Sequence, residues 1–227
     1  MKKIICIGLI AVALLLSSGM QFAFAQENQI DINALIQETQ KRSDNPGEMT
    51  FIWWIPEEYW QASFAQNPNM TAAQIEDFVR VFRPYTVVAA VDGTMGTYGS
   101  VNYKTETEIR SNIKLVDAQG STYLPLSEEG INADTKSFLA AMKPMLANAL
   151  GPIGQNMYFF IFPAQDKSEQ RITDAKKEGA FSIKLGDREF RWKLPLGSIL
   201  VPKVCPTCQE KISGSYKYCP WDGAKLE

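Results

Sequence analysis

The chain has 227 residues, 45% hydrophobic and 21% charged, with 23 basic residues against 25 acidic ones and a formal net charge of −2. So even a balance argues against a nucleic-acid partner, whose phosphates call for a basic face. Histidine is absent from the sequence, which excludes Ser-His-Asp and Cys-His catalysis and the common His-rich catalytic zinc sites.

At the N-terminus, Lys2 and Lys3 precede an apolar run from Ile4 to Leu16, and Ala23-Phe24-Ala25 places small residues at the −3 and −1 positions of a cleavage point. This is the pattern of a secretory signal peptide covering residues 1–25. The run is shorter than the roughly 20 apolar residues of a transmembrane helix, and no later segment qualifies. Cys6 opens the apolar run instead of closing it in a Leu-x-x-Cys context, so it reads as one more apolar residue and not as a lipidation site. Cleavage removes two lysines, leaving 21 basic against 25 acidic residues and a net charge of −4. The expected location is periplasmic or extracellular. Residues 26–200 are long enough for one β-rich body with a core of its own, and residues 201–227 form a small appended unit.

Asp31 is placed to cap a helix with an apolar stripe of Ile32, Leu35 and Ile36, which ends near Ser43-Asp-Asn-Pro-Gly47. Met49–Ile55 reads as a buried strand. Pro56-Glu57-Glu58 opens a helix with Trp60 and Phe64 on one face. Thr71 opens another, whose inner stripe is Ile75, Phe78, Val79 and Phe82 and which Arg83-Pro84 stops. Tyr85–Val91 is a second buried strand. From Val101 to Arg110, Val101, Tyr103, Thr105, Thr107 and Ile109 alternate with polar residues, which predicts a half-solvated strand. Ile113–Val116 and Thr122–Leu124 flank a hairpin loop at Asp117–Gly120, and Thr135–Leu150 is helical with Pro144 expected to bend it. Asn156–Phe162 is the most hydrophobic strand, and Ala180–Leu185 with Glu189–Leu194 form a hairpin about Gly186-Asp-Arg188. Hairpin connections with few βαβ crossovers predict a mainly β, α+β protein: an antiparallel β-sandwich-like body with helical additions. The short apolar link Leu194–Lys203 is expected to hold the last unit against that body.

That last unit carries the one recognisable chemistry. Cys205-Pro-Thr-Cys208 and Cys219-Pro-Trp-Asp222 are two short knuckles separated by ten residues, the second repeating the first with a carboxylate in place of the fourth thiolate. Two residues between ligands suit a tetrahedral shell, because a turn pre-set by Pro206 or Pro220 returns the second ligand to the ion. A single Zn²⁺ bound by Cys205, Cys208, Cys219 and Asp222 is the expected structural cofactor. Between the knuckles, Gly214 centres a turn flanked by Ile212, Tyr216 and Tyr218, which predicts a hairpin there. The tail is too short for a core of its own, and zinc supplies the staple that segments of this size need. Export also allows a disulfide from Cys205 or Cys208 to Cys219; a Cys-x-x-Cys redox pair lacks the βαβ setting such motifs need, and the separation of the knuckles is short for a rubredoxin-like iron site.

The tail resembles the zinc ribbon family, in which two Cys-Pro-x-Cys-Gly knuckles cap a small β-hairpin. The likeness covers about the last two dozen residues. Cys205, Cys208 and Cys219 match the family pattern, whereas Asp222 departs from it and Gln209 replaces the glycine that follows the first knuckle. The resemblance implies a structural or binding role more than a catalytic one.

Elsewhere the candidates have plainer readings. Trp53, Trp54, Tyr59 and Trp60 could line a groove for a sugar or acyl chain, but strand and helix periods place them in the core. Glu57-Glu58 and Glu128-Glu129 are adjacent pairs, whereas glycoside hydrolysis needs two carboxyls about 5–10 Å apart across a cleft. Arg188, Arg191 and Lys193 interleave with Phe190 and Trp192, as the outer face of a sheet would, and the glycines at 93, 96 and 99 lack a phosphate-loop spacing. The expectation is an exported, non-catalytic binding or assembly protein with a protein partner in the cell envelope. The alternatives are a carboxylate-dependent hydrolase of envelope polymers and a metal carrier or sensor.

Overall fold

The computed structural model describes residues 30–227. The predicted signal peptide, with Cys6, lies outside them. The described chain opens with helix α1 (Ile32–Thr39), where the Asp31 carboxylate accepts the Asn33 and Ala34 N–H groups as an N-cap. It passes directly into β1 (Gln40–Arg42), and a turn leads to β2 (Phe51–Ile55). Helix α2 (Glu57–Ala65) starts behind Pro56, and α3 (Ala72–Arg80) starts at a capping box in which Thr71 and Gln74 satisfy each other's backbone N–H groups. Strand β3 (Tyr85–Val91) is followed by a small hairpin of β4 (Gly93–Met95) and β5 (Val101–Tyr103).

The long alternating strand predicted for 101–110 stops at Tyr103. Residues Glu106–Arg110 form helix α4, because Thr105 and Glu108 make a second capping box. The Thr-x-x-Glu spacing satisfies helix-start N–H groups, and that outweighs the period-two pattern, of which Ile109 alone is buried. Strands β6 (Ile113–Val116) and β7 (Thr122–Tyr123) form the expected hairpin. Helix α5 (Ala133–Leu150) begins two residues earlier than predicted, at an Asn132 cap, and continues through Pro144. Helix α6 (Pro152–Gln155) follows, then β8 (Tyr158–Pro163), the hairpin of β9 (Gly179–Leu185) and β10 (Arg188–Leu194), and finally the short β11 (Lys203–Val204) and β12 (Lys211–Ile212).

The body is a sandwich of two antiparallel four-stranded sheets, ordered β1-β2-β3-β8 and β10-β9-β6-β7. Between them lies one core, to which β2 contributes Ile52 and Trp54, β3 Val88 and Ala90, and β8 Phe160 and Phe162. The opposite sheet supplies Phe181, Ile183, Leu185 and Trp192. Trp54 meets Phe181 edge-on at 4.8 Å between ring centroids, and Phe181 stacks on Trp192 at 5.0 Å. The alternate residues of the first sheet, including Trp53, Val87, Ala89 and Ile161, face a second core roofed by α2, α3 and α5. Both faces of β2 and β3 are thus covered, which is why their sequences run apolar without alternation. Phe78, expected on the inner stripe of α3, is 45% exposed at the rim of this roof, while Val79 and Phe82 go inward.

A buried ionic cluster ties the layers together. Asp92, at the end of β3, is 1% exposed and accepts bonds from Thr50 Oγ1, Lys104 Nζ and Arg188 Nη2, each at 2.7 Å. Arg188 also reaches Glu48 at 3.3 Å and bonds Thr50. Desolvation works against the Asp92 carboxylate, but Arg188, Lys104 and Thr50 outweigh it and hold its pKa below the usual range. Arg188 therefore belongs to the interior, unlike Arg191 and Lys193, because it shares the inward parity of Phe190 and Trp192 on β10. No helix among the described residues is long and apolar enough to cross a membrane.

Candidate metal centre

Residues after Leu194 fold back on α1. Glu38 accepts the Gly197 and Ser198 N–H groups at 2.8 and 3.0 Å, fixing the link to the body. The Ser213-Gly214-Ser215 turn then presses on that link. A methyl group at Gly214 would stand 2.4 Å from the Val201 carbonyl oxygen and 2.6 Å from Leu200 Cβ. The expected docking of the tail is therefore present, and glycine is required at the point of closest approach.

The tail itself is built from one unit used twice, fourteen residues apart. In the first copy Cys205 N–H donates to Glu210 C=O at 3.0 Å and Gln209 N–H to Cys205 C=O at 3.0 Å; in the second, Cys219 donates to Ala224 at 2.7 Å and Gly223 to Cys219 at 3.0 Å. Each knuckle is closed by its own antiparallel pairing. Val204 pairs with Lys211, and Tyr218 with Lys225 at the equivalent place. The hairpin predicted between the knuckles is thus corrected: Ile212 pairs with Lys203, before the first knuckle, and Gly214 serves a docking turn. Each knuckle needs its flanking residues to absorb the N–H and C=O groups its own turn leaves unpaired. The repeat is legible in hindsight as Lys203-x-Cys-Pro…Lys211-Ile212 and Lys217-x-Cys-Pro…Lys225-Leu226. The Cys and Asp positions alone do not carry its flanks.

The two copies face one another across a small core of Cys205, Cys219, Ile212 and Leu226, all buried. The second ligand position of each copy, Cys208 or Asp222, is exposed. The ligand atoms of Cys205, Cys208, Cys219 and Asp222 all lie within 4.8 Å of one another, the one such group of His, Cys, Asp or Glu side chains among the described residues. Cys208 Sγ is 3.7 Å from Cys219 Sγ, and Cys205 Sγ is 3.2 Å from Asp222 Oδ2. Ligands bound tetrahedrally at about 2.3 Å for sulfur and 2.0–2.2 Å for oxygen would be about 3.8 Å apart for two sulfurs and about 3.5 Å for sulfur and oxygen. The four groups therefore fit a metal ion.

Electrostatics agree with that fit. Ala224 N–H and the Cys205 thiol draw the Asp222 carboxylate down to about 2, so it is anionic across the physiological range. At Cys208 the Glu210 N–H favours the thiolate, but desolvation, Asp222 and the neighbouring thiols prevail and push it up to about 12. A cation would reverse that balance and release the proton. The Glu210 and Ala224 N–H groups are equivalent in the two copies, each aimed at the second ligand.

Other cysteine chemistry fits less well. The three thiols are free, and the shortest recorded sulfur separation, 3.7 Å, is well beyond the roughly 2.05 Å of a disulfide bond. Cys205-Pro-Thr-Cys208 lies in a turn between β11 and β12, away from any helix start that would lower a thiol pKa for redox exchange.

In the body, Trp53, Trp54 and Trp60 are buried, with Tyr59 edge-on to Trp53 and Trp60. Glu57 is paired with Arg83 and Arg171, Glu58 with Lys176, and Glu128 and Glu129 sit in a surface turn. A cleft of about 390 Å³ does gather Asp117, Asp166, Glu169, Asp174 and Glu178. There Asp117 accepts Gln119 and Ser121 N–H groups and Asp166 those of Ser168 and Gln170, so these carboxylates lock turns. Compared with family models, curated proteins and solved structures, the chain matches none.

Proposed function

We propose that this is an exported, non-catalytic binding or assembly protein whose residues 201–227 form a structural zinc ribbon. In this reading the sandwich is braced by the metal-stapled tail, which offers a contact surface to a protein partner in the cell envelope. The observation that carries it is the convergence of Cys205, Cys208, Cys219 and Asp222 on a segment whose own apolar core is only a few side chains. A unit that small draws its folding free energy from the ion, roughly 10–16 kcal/mol in zinc-binding peptides. Three sulfurs and one carboxylate suit Zn²⁺ better than the hard, oxygen-seeking cations. Lys2, Lys3, the apolar run and Ala23-Phe24-Ala25 support export. Tyr216, Tyr218 and Trp221 are exposed on the tail, residue types that commonly anchor protein interfaces.

A metal carrier or sensor is the second reading, favoured by the exposure of Cys208 and Asp222, which gives a competing ligand access to the ion. The deciding experiment is metal analysis with thiol titration on protein taken from its native compartment. About one zinc per chain, with three thiols reactive only after chelation, is expected. Bridged cystines and no bound metal, with no zinc taken up once the thiols are reduced, would overturn the proposal.

A further inference from the structure

The centre is asymmetric in a way that matters for oxidation. Each repeat contributes one buried ligand and one exposed ligand, but only the first copy exposes a sulfur: Cys208 is open to solvent, whereas Cys205 is 0% and Cys219 3% exposed. Cys208 Sγ lies 3.7 Å from Cys219 Sγ, and Cys205 Sγ is 3.2 Å from Asp222 Oδ2 and 3.4 Å from the Thr207 N–H. All four donors lie within 4.8 Å of one another, and joining the two sulfurs in recorded contact, Cys208 and Cys219, leaves Cys205 and Asp222 as the remaining pair.

Resting on the metal reading above, we infer that the centre releases its ion under oxidation, by formation of a Cys208–Cys219 disulfide. A small-molecule disulfide, RSSR, is the oxidant. The Cys208 thiolate attacks one of its sulfurs, forming a mixed disulfide and expelling RS⁻. The Cys219 thiolate then attacks the Cys208 sulfur, closing the intramolecular bond and expelling the second RS⁻. Two thiolates lose two electrons, and RSSR gains them as two thiolates. Attack begins at Cys208 because RSSR cannot reach the buried sulfurs, and Cys219 resolves it because its sulfur is adjacent and already faces Cys208. Bond formation removes two of the three sulfur ligands at once. Cys205 and Asp222 alone offer two donors, half of a tetrahedral shell, so the ion departs.

The carboxylate at 222 is what makes the outcome one-sided. A fourth cysteine there would give two oxidisable pairs, whereas this sequence leaves Cys205 without a second thiol. The two knuckles stay joined in both states, by the ion when reduced and by the disulfide when oxidised. The tail therefore keeps its closure on the body while its metal load follows the thiol–disulfide balance around it.

The test uses the full chain without its first 25 residues, loaded with zinc and equilibrated in glutathione buffers of increasing GSSG content with a chromogenic zinc indicator present. Disulfides are mapped by mass spectrometry at each step. One zinc per chain released together with a Cys208–Cys219 bridge, and rebinding when dithiothreitol is added, is the expected result. Zinc retained across the whole series, or a bridge that includes Cys205, overturns this inference while leaving the metal reading intact. Failure of the reduced protein to bind zinc overturns the metal reading itself. In C208S, zinc retained under reducing conditions should no longer respond to GSSG; if the variant binds none, disulfide mapping of the unsubstituted chain decides alone.

Discussion

Cys208 and Asp222 occupy one and the same place in two copies of a single folded unit, each receiving a backbone N–H from the residue two positions on, Glu210 and Ala224 respectively. The position of the fourth donor in the cluster is therefore set by the backbone of the repeat, and the carboxylate is a substitution within an otherwise equivalent frame. Asp222→Cys should bind zinc more tightly and Asp222→Ala less tightly, each by at least about tenfold, or about 1.4 kcal/mol. Competition against a chromogenic chelator measures both, and equal affinities in the three proteins would remove Asp222 from the shell.

Proton release gives an independent count. Because Asp222 is held at about 2, it is already ionised at neutral pH and has no proton to give. Binding one zinc should therefore release up to about three protons, from the thiols only, and affinity should weaken as pH falls. Calorimetry in buffers of different ionisation enthalpy reads this number, and four would mean that another group titrates.

Gln209 and Gly223 are also equivalent, with φ of +62° and +75°. The left-handed region costs a non-glycine residue about 1–2 kcal/mol. A methyl group at Gly223 would meet nothing within 4 Å, so Gly223→Ala tests backbone strain alone and should cost about 1 kcal/mol in thermal unfolding of the metal-bound tail. Gln209→Gly should be neutral or slightly stabilising, relief of strain being offset by the freedom glycine brings to the unfolded chain.

Docking of the tail depends on Gly214, where an added methyl group would strike backbone. Gly214→Ala should cost about 1–3 kcal/mol of docking. Limited proteolysis should then cut near residues 200–204, with zinc content unchanged; an unaltered digestion pattern would show that the contact is dispensable.

Asp92 supplies the acid sensitivity of the body. Its folded pKa lies below its unfolded value of about 3.9. Its contribution is therefore complete above the unfolded value and is lost as pH falls through the lower, folded one. Asp92→Asn should cost about 3 kcal/mol near neutrality, since Arg188 and Lys104 lose their counter-charge, and should flatten the pH dependence of urea unfolding below pH 4. A parallel loss of stability in both proteins on acidification would place the sensitivity elsewhere.

The sequence by itself determined the four-residue cluster that could hold a metal ion and most of the sandwich. Cysteine and proline spacing fixes a turn locally, and continuous apolar runs such as Phe51–Ile55 and Tyr85–Val91 have few other places to go than between two covered layers. Three things were decided only in three dimensions. Thr105 and Glu108 closed a capping box where alternation pointed to a strand, because satisfying helix-start N–H groups outweighed a weak period. Arg188 turned inward because Asp92, ninety-six residues earlier, waits there as a buried counter-charge. The knuckles, finally, are closed by residues outside them, Lys203 with Ile212 and Tyr218 with Lys225, since the N–H and C=O groups of a turn need partners that only the folded chain brings alongside.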